Sequence, residues 1–103
     1  MNKIRIPISF ELGGRTITIK YKNNMVDEDD SIGYAKYRKN EIWIQENITG
    51  TTRTIDHTIE TFLHELIHWI LYMISENELR DNEKFVQLFS EYLHQALKTA
   101  EYK

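Results

Sequence analysis

Between positions 4 and 21 the chain alternates. Ile4, Ile6, Ile8, Phe10 and Leu12 are each separated by one polar or small residue, the period of two that marks a half-buried strand. Gly13-Gly14 follows, and Ile17, Ile19 and Tyr21 alternate in the other parity. A two-residue turn at the glycines pairs Phe10 with Ile17, Ile8 with Ile19 and Ile6 with Tyr21, all on one face, which predicts a β-hairpin. Pro7 falls in the opposite parity and suggests an edge strand. Runs 33–37 and 41–45, around Arg38-Lys39-Asn40, predict a second hairpin. Within it, Ile42, Trp43 and Ile44 fit two roles: sheet packing, or an edge strand that lines a cleft and pairs with an extended peptide. Residues 47–53, rich in Thr, Asn and Gly, read as a loop.

The period then lengthens. Ile55, Ile59, Phe62, Leu63, Leu66, Ile67, Ile70, Leu71 and Ile74 give a helix over 54–75 a wide apolar surface. Residues 76–82 are polar and interrupt it. A second helix over 82–100 carries Phe85, Phe89, Tyr92, Leu93, Ala96 and Leu97 on one stripe. The predicted class is α+β: N-terminal antiparallel β-hairpins forming a small twisted sheet, then two long C-terminal helices, as one domain over residues 1–103.

Composition narrows the function classes. With 41% hydrophobic and 28% charged residues, the 103-residue chain has the balance of an ordinary globular domain. Thirteen Lys and Arg against 16 Asp and Glu leave a net charge of −3, so nucleic acid is disfavoured as the main partner. The basic cluster Lys36, Arg38, Lys39, with Lys20 and Lys22, reads as a solvated strand face. Asp27-Glu28-Asp29-Asp30 lacks the glycine and spaced oxygens of a calcium loop and reads as solvated loop. The start has no apolar core of a signal peptide, and the run 69–74 is far shorter than the roughly 20 residues of a membrane span. A cytoplasmic protein with no membrane association is expected. Cysteine is absent, so any metal must be held by His, Asp or Glu.

One stretch supplies that chemistry. His64-Glu65-Leu66-Ile67-His68 reads HExxH and falls in the first predicted helix. Histidines four apart on a helix project from one face, where a single tetrahedral ion can accept both. The glutamate beside the first histidine points to the same cleft and can take a proton from zinc-activated water. Two exposed histidines and a salt-bridged glutamate would spell the same letters. The strong helix, the acidic second helix and the lack of cysteine favour the metal.

A hydrolytic zinc keeps three protein ligands and one open position. HExxHxxGxxH is excluded, because Leu71 and Ile74 stand where its glycine and histidine would be. Glu76 lies about 12 Å along the helix from His68, too far to bend back. Glu78 and Asp81 fall in the interruption; Glu83, Glu91 and His94 are on the second helix. A strictly antiparallel return puts Glu91 level with the histidines, though among solvent-facing neighbours; Glu83 needs crossed helices or a doubled-back loop, but sits in a less constrained first turn. Spacing leaves both open.

The run Phe62-Leu63-His64-Glu65-Leu66-Ile67-His68-Trp69-Ile70-Leu71-Tyr72, followed by Asn82-Glu83-Lys84-Phe85-Val86-Gln87-Leu88-Phe89-Ser90, resembles small phage- and prophage-encoded zincin-like metallopeptidases. These are similar to gluzincins and, more distantly, to metallopeptidase domains of the ImmA/IrrE type. The resemblance covers the second half of the chain. It implies that His64 and His68 bind Zn²⁺, that Glu65 is the general base, and that Glu83, just before a Phe-Val pair, is the third ligand.

The resulting expectation is zinc-dependent hydrolysis of a peptide bond in a protein or peptide substrate. An oxyanion donor would be needed; Tyr34, Tyr37, Tyr72 and His57 qualify by type, while His57 and His94 also fit surface or partly packed positions. The alternative is a non-catalytic, metal-stabilised module that docks a protein partner such as a repressor. A structural zinc site closes with four protein ligands, however, and would leave Glu65 unexplained.

Overall fold

The computed structural model describes residues 4–23, 25, 32–48, 51–52 and 54–103; the acidic run 27–30 lies outside them. Strands β1 (Ser9–Leu12) and β2 (Arg15–Lys22) form the first hairpin. Its turn residues Gly13 and Gly14 have φ of +54° and +84°, the positive values a two-residue hairpin turn needs. Phe10 stands opposite Ile17, and the Ile19 N–H donates to Ile8 O at 3.1 Å, as the alternation predicts. The strand begins only at Ser9. Ile4 and Ile6 still pack on the core, but the β1–β2 ladder stops at Ser9–Thr18, short of the expected Ile6–Tyr21 pair; on its other edge Tyr21 pairs with Ile44.

The second hairpin joins β3 (Gly33–Lys36) to β4 (Glu41–Gln45) through a 3₁₀ turn at Tyr37–Lys39 and a left-handed Asn40. The strand order is β1-β2-β4-β3, with β2 and β4 parallel. The sheet is therefore mixed where only antiparallel pairing was expected. Each hairpin is legible from its own alternation, but nothing local says how two hairpins join. The parallel register sets Ile19 beside Ile42, so that Ile17, Ile19, Ile42 and Ile44 bury on one face. Because β4 is paired on both sides, its Ile42 and Ile44 are core residues, and the edge-strand reading of that segment is wrong. The edge next to the helix is β3. Beyond it, β5 (Asn47–Ile48) and β6 (Thr51–Thr52) pair briefly where a loop was expected.

Helix α1 (Ile55–Met73) starts at Thr54, whose hydroxyl accepts from the His57 N–H at 3.2 Å. It packs on β3 and β4 through Ile59, Phe62, Leu63 and Trp69. Trp69, which the apolar stripe left out, is fully buried and donates its indole N–H to Glu41 O at 3.1 Å. Ile55 and Ile74, at the two ends, are exposed.

How α1 ends decides where the site forms. Ser75 adopts φ +60°, its N–H bonds Tyr72 O at 3.1 Å, and the Glu76 N–H bonds Leu71 O at 2.9 Å. That pairing is a Schellman motif, which satisfies the last carbonyls and turns the chain back. The polar interruption is not all loop: it forms a one-turn helix, α2 (Asn77–Arg80). Asn82 then caps α3 (Glu83–Thr99) by accepting from the Phe85 N–H at 3.0 Å.

α3 rests on α1 through Val86, Ser90 and His94, which lie three, seven and eleven residues after Glu83 and so share its face. The predicted stripe is rotated: Phe89 and Tyr92 are exposed, while Phe85 and Leu93 are half-buried. Among the described residues, no helix is long and apolar enough to cross a membrane.

Candidate metal centre

His64 and His68 lie one turn apart on α1, half-buried, with ring centroids 5.0 Å apart. Glu83, the first residue of α3, reaches both: Oε2 is 3.2 Å from His64 Nε2 and Oε1 is 3.1 Å from His68 Nε2. The three ligand atoms lie within 4.8 Å of one another. Donors held at about 2.0–2.1 Å from a tetrahedral ion stand roughly 3.3 Å apart. Each His–Glu separation, made through a different carboxylate oxygen, is of that size, so the three side chains are close enough to share one ion. Two neutral imidazoles and one carboxylate also suit zinc chemically.

His68 is oriented from behind. The Arg80 backbone carbonyl accepts a hydrogen bond from its ring, and with Nε2 turned to Glu83 the donor is Nδ1. This fixes the tautomer that leaves Nε2 as a ligand. Burial lowers the His68 pKa, as does His64, while Glu83 and the Arg80 carbonyl oppose the shift. The neutral ring is the form a metal binds.

Glu65 packs against the sheet edge beside the cluster, is 8% exposed, and borders both cavities together with His64. Its carboxyl is pushed up to about 8, first by burial and then by the charge of Glu83; the Ala35 N–H, which donates to it, works in the opposite direction. A side chain at Gly33 would not fit beside it. A Cβ there would stand 2.6 Å from Thr61 Cγ2 and 2.9 Å from Glu65 Oε2.

Two cavities meet at His64, Glu65 and Gly33. One, of about 560 Å³, is bordered by Tyr34, Tyr37, His68, Arg80 and Glu83. The other, of about 410 Å³, lies between α1 and α3 and includes His57, Glu60 and Glu91. Glu91 is thus not level with the histidines but two turns further along α3, bonded by Gln87 Nε2 at 2.7 Å. It is exposed, as its neighbours suggested, and it borders the cavity. Glu78 and Asp81 lie outside the His64–His68–Glu83 cluster, although Asp81 borders the larger cavity. His94 is buried under α1, with Nδ1 3.4 Å from Glu60 Oε1.

Of the possible oxyanion donors, Tyr34 and Tyr37 border the larger cavity and His57 the smaller, while Tyr72 stacks on Tyr37 at 4.2 Å and borders neither. Burial raises the Tyr37 hydroxyl to about 12, so it stays protonated. Gly33, Ala35 and the Arg80 carbonyl are contributions that sequence reasoning missed. The glycine that opens a predicted strand was a usable signal; the two backbone groups left none.

Fold and cluster together define a small α+β domain in which an HExxH helix and the first residue of a returning helix form a candidate His-His-Glu metal centre. The SprT-like family model matches residues 10–100, and the chain belongs to that family. SprT-like domains are zinc-metallopeptidase-like, which bears out the expected class and adds no phage or ImmA/IrrE specificity. No curated protein and no solved structure matches the chain.

Proposed function

We propose that this chain is a zinc metallopeptidase that hydrolyses peptide bonds in a protein or peptide substrate, with His64, His68 and Glu83 holding the ion and Glu65 as general base. The observation that carries the reading is the Glu83 carboxylate, which offers one oxygen to each histidine while Glu65 stands buried alongside, where the two cavities meet. Bound there, zinc supplies Lewis acidity and brings the pKa of a water it holds toward about 7.

The chain's own groups do the rest. Glu65, as carboxylate, takes a proton from the attacking water and passes it to the leaving amine. Neutralising Glu83 removes the second cause of the raised Glu65 pKa and favours the ionised form a base requires. Tyr37, held protonated, donates to the developing oxyanion. β3 runs past Glu65 as the sheet edge, so an extended substrate laid along it brings its carbonyl to the site.

The docking-module alternative is weaker, because three protein donors converge among the described residues, one short of a closed structural site, and the buried Glu65 would have no task. A kinship with small phage-type zincins, suggested by the two helix runs, and a cytoplasmic setting belong to the same reading.

The test pairs metal analysis with hydrolysis. Wild type should carry one zinc per chain and cleave unfolded protein substrates. Glu65→Gln should keep the zinc and lose cleavage. Wild type isolated gently, without chelator, and found free of metal would sink the proposal.

A further inference from the structure

We propose that the cavity between α1 and α3 is a specificity pocket for a lysine or arginine side chain next to the scissile bond, selected by Glu60 and Glu91. The inference rests on the hydrolase reading above and names the substrate class of that same site.

The placement of the carboxylates carries it. The cavity, about 410 Å³, opens at His64 and Glu65 and extends away between the helices. Glu60 precedes His64 by one turn of α1, and Glu91 follows Glu83 by two turns of α3. On helices that pack side by side with opposite direction, both steps lead the same way, roughly 6 Å and 12 Å from the metal cluster. A lysine or arginine has a matching layout, an apolar stem of several methylenes with its charge at the far end.

The wall between suits such a stem. Thr61 turns its hydroxyl to His57 O at 3.0 Å and its methyl toward Gly33. Ser90 likewise spends its hydroxyl on Gln87 O at 3.0 Å. Charged recognition is thereby left to the glutamates. Glu60 meets His94 Nδ1 and Glu91 meets Gln87 Nε2, each through Oε1, so the second oxygen of each carboxylate is the one to meet an ammonium or guanidinium. Among the described residues no lysine or arginine borders this cavity, whereas Arg80 borders the other one. Carboxylates border both cavities, but in the other one Glu83 belongs to the metal cluster and Asp81 is paired with Arg80 at 3.5 Å, so the cationic side chain belongs on the α1–α3 side.

The test needs no turnover. Zinc-loaded full-length protein is titrated calorimetrically with the hydroxamates of Nα-acetyl-lysine and Nα-acetyl-norleucine, which share a chelating group and a stem and differ in the ammonium. Wild type should bind the lysine probe about tenfold more tightly, and Glu91→Gln or the Glu60→Gln/Glu91→Gln pair should shrink that advantage to about twofold or less. Equal binding of both probes to wild type, or a preference that survives in the double variant, overturns the pocket and leaves the metallopeptidase reading standing. Failure of both probes to bind zinc-loaded wild type overturns the open metal site and the pocket with it. Because Glu60 contacts the buried His94, the single Glu91→Gln variant, altered at an exposed residue, keeps the test sound if the double variant folds poorly.

Discussion

Gly33 lies so close to Glu65 that a Cβ on the glycine would stand 2.9 Å from Oε2 and 3.1 Å from Cγ. The first residue of β3 and the proposed base on α1 therefore fit only because one of them has no side chain. The same approach lets the Ala35 N–H reach the Glu65 carboxylate. Sheet edge and helix are docked by a backbone, and that docking fixes the Glu65 carboxyl in place.

Gly33→Ala should push α1 from β3, because the added methyl also meets Thr61 Cγ2 at 2.6 Å. A loss of about 1–3 kcal/mol in denaturant unfolding is expected, with hydrolysis reduced more than zinc content. Adding Thr61→Ser removes one clashing methyl and should recover part of the stability. Wild-type stability in Gly33→Ala alone would show that the gap tolerates a side chain.

Metal-free protein should lose stability as pH rises, through Glu65. Its folded pKa, about 8, lies above its ordinary 4.5. Below 4.5 both folded and unfolded forms are protonated and the contribution is fully present. Between these values the unfolded chain releases the proton and the folded chain keeps it, so stability falls until about pH 8, by on the order of 4 kcal/mol. His68, with its lowered pKa, acts in the opposite sense at acidic pH. The comparison with Glu65→Gln isolates the carboxyl: urea midpoints after chelation should decline less steeply in the variant than in wild type. Parallel pH profiles would contradict the buried, protonated Glu65.

Ser75→Gly should stabilise the fold. Ser75 holds φ +60° at the turn that ends α1, a conformation costing an L-residue roughly 1–2 kcal/mol. Glycine avoids that strain but is freer when unfolded, so the net gain should be about 0.5–1 kcal/mol. Thermal unfolding checks it, and zinc content should not change. A lower melting temperature would mean that the serine side chain contributes to the turn.

Much of this architecture is legible from local pattern. Alternation around Gly13-Gly14 yields the first hairpin and the Phe10–Ile17 register, and the 3.6 period places both long helices within a residue or two of their ends. What local pattern cannot carry is how elements join. The parallel β2–β4 pairing arises between segments about twenty residues apart, and no alternation encodes it. The face of α3 illustrates the same limit. Its most apolar stripe includes Phe89 and Tyr92, yet the helix is set with Glu83 toward the histidines, burying His94 and exposing both aromatics. The candidate site was half legible: His64, Glu65 and His68 are candidates from spacing, but the choice between Glu83 and Glu91 depends on a returning turn at Ser75 that no residue type announces.

Tyr37→Phe tests the proposed oxyanion donor with little disturbance, since the phenylalanine ring can keep the stack on Tyr72 and the edge contact with Trp69. Loss of one such donor costs about 10²–10³-fold in kcat in hydrolases that use one. The expected result is a fall of that order in kcat, a nearly unchanged KM and full zinc content. A variant with wild-type kcat would pass the role to Tyr34 or to His57.

The third ligand is settled by comparing two alanine variants for metal. Glu83 offers oxygens at 3.2 and 3.1 Å from the two histidine nitrogens, whereas Glu91 lies two helical turns on and is bonded by Gln87. Removing one of three zinc ligands should cut affinity by several orders of magnitude, while removing a carboxylate about 12 Å along the helix should leave it near wild type. Glu83→Ala should therefore be purified without zinc and fail to regain it at micromolar metal, and Glu91→Ala should carry one equivalent. Both variants should remain folded after chelation, because Glu83 and Glu91 are exposed and contribute little to the core. Zinc lost from Glu91→Ala and retained by Glu83→Ala would reverse the assignment, and would mean that α3 slides along α1 by two turns when the metal binds.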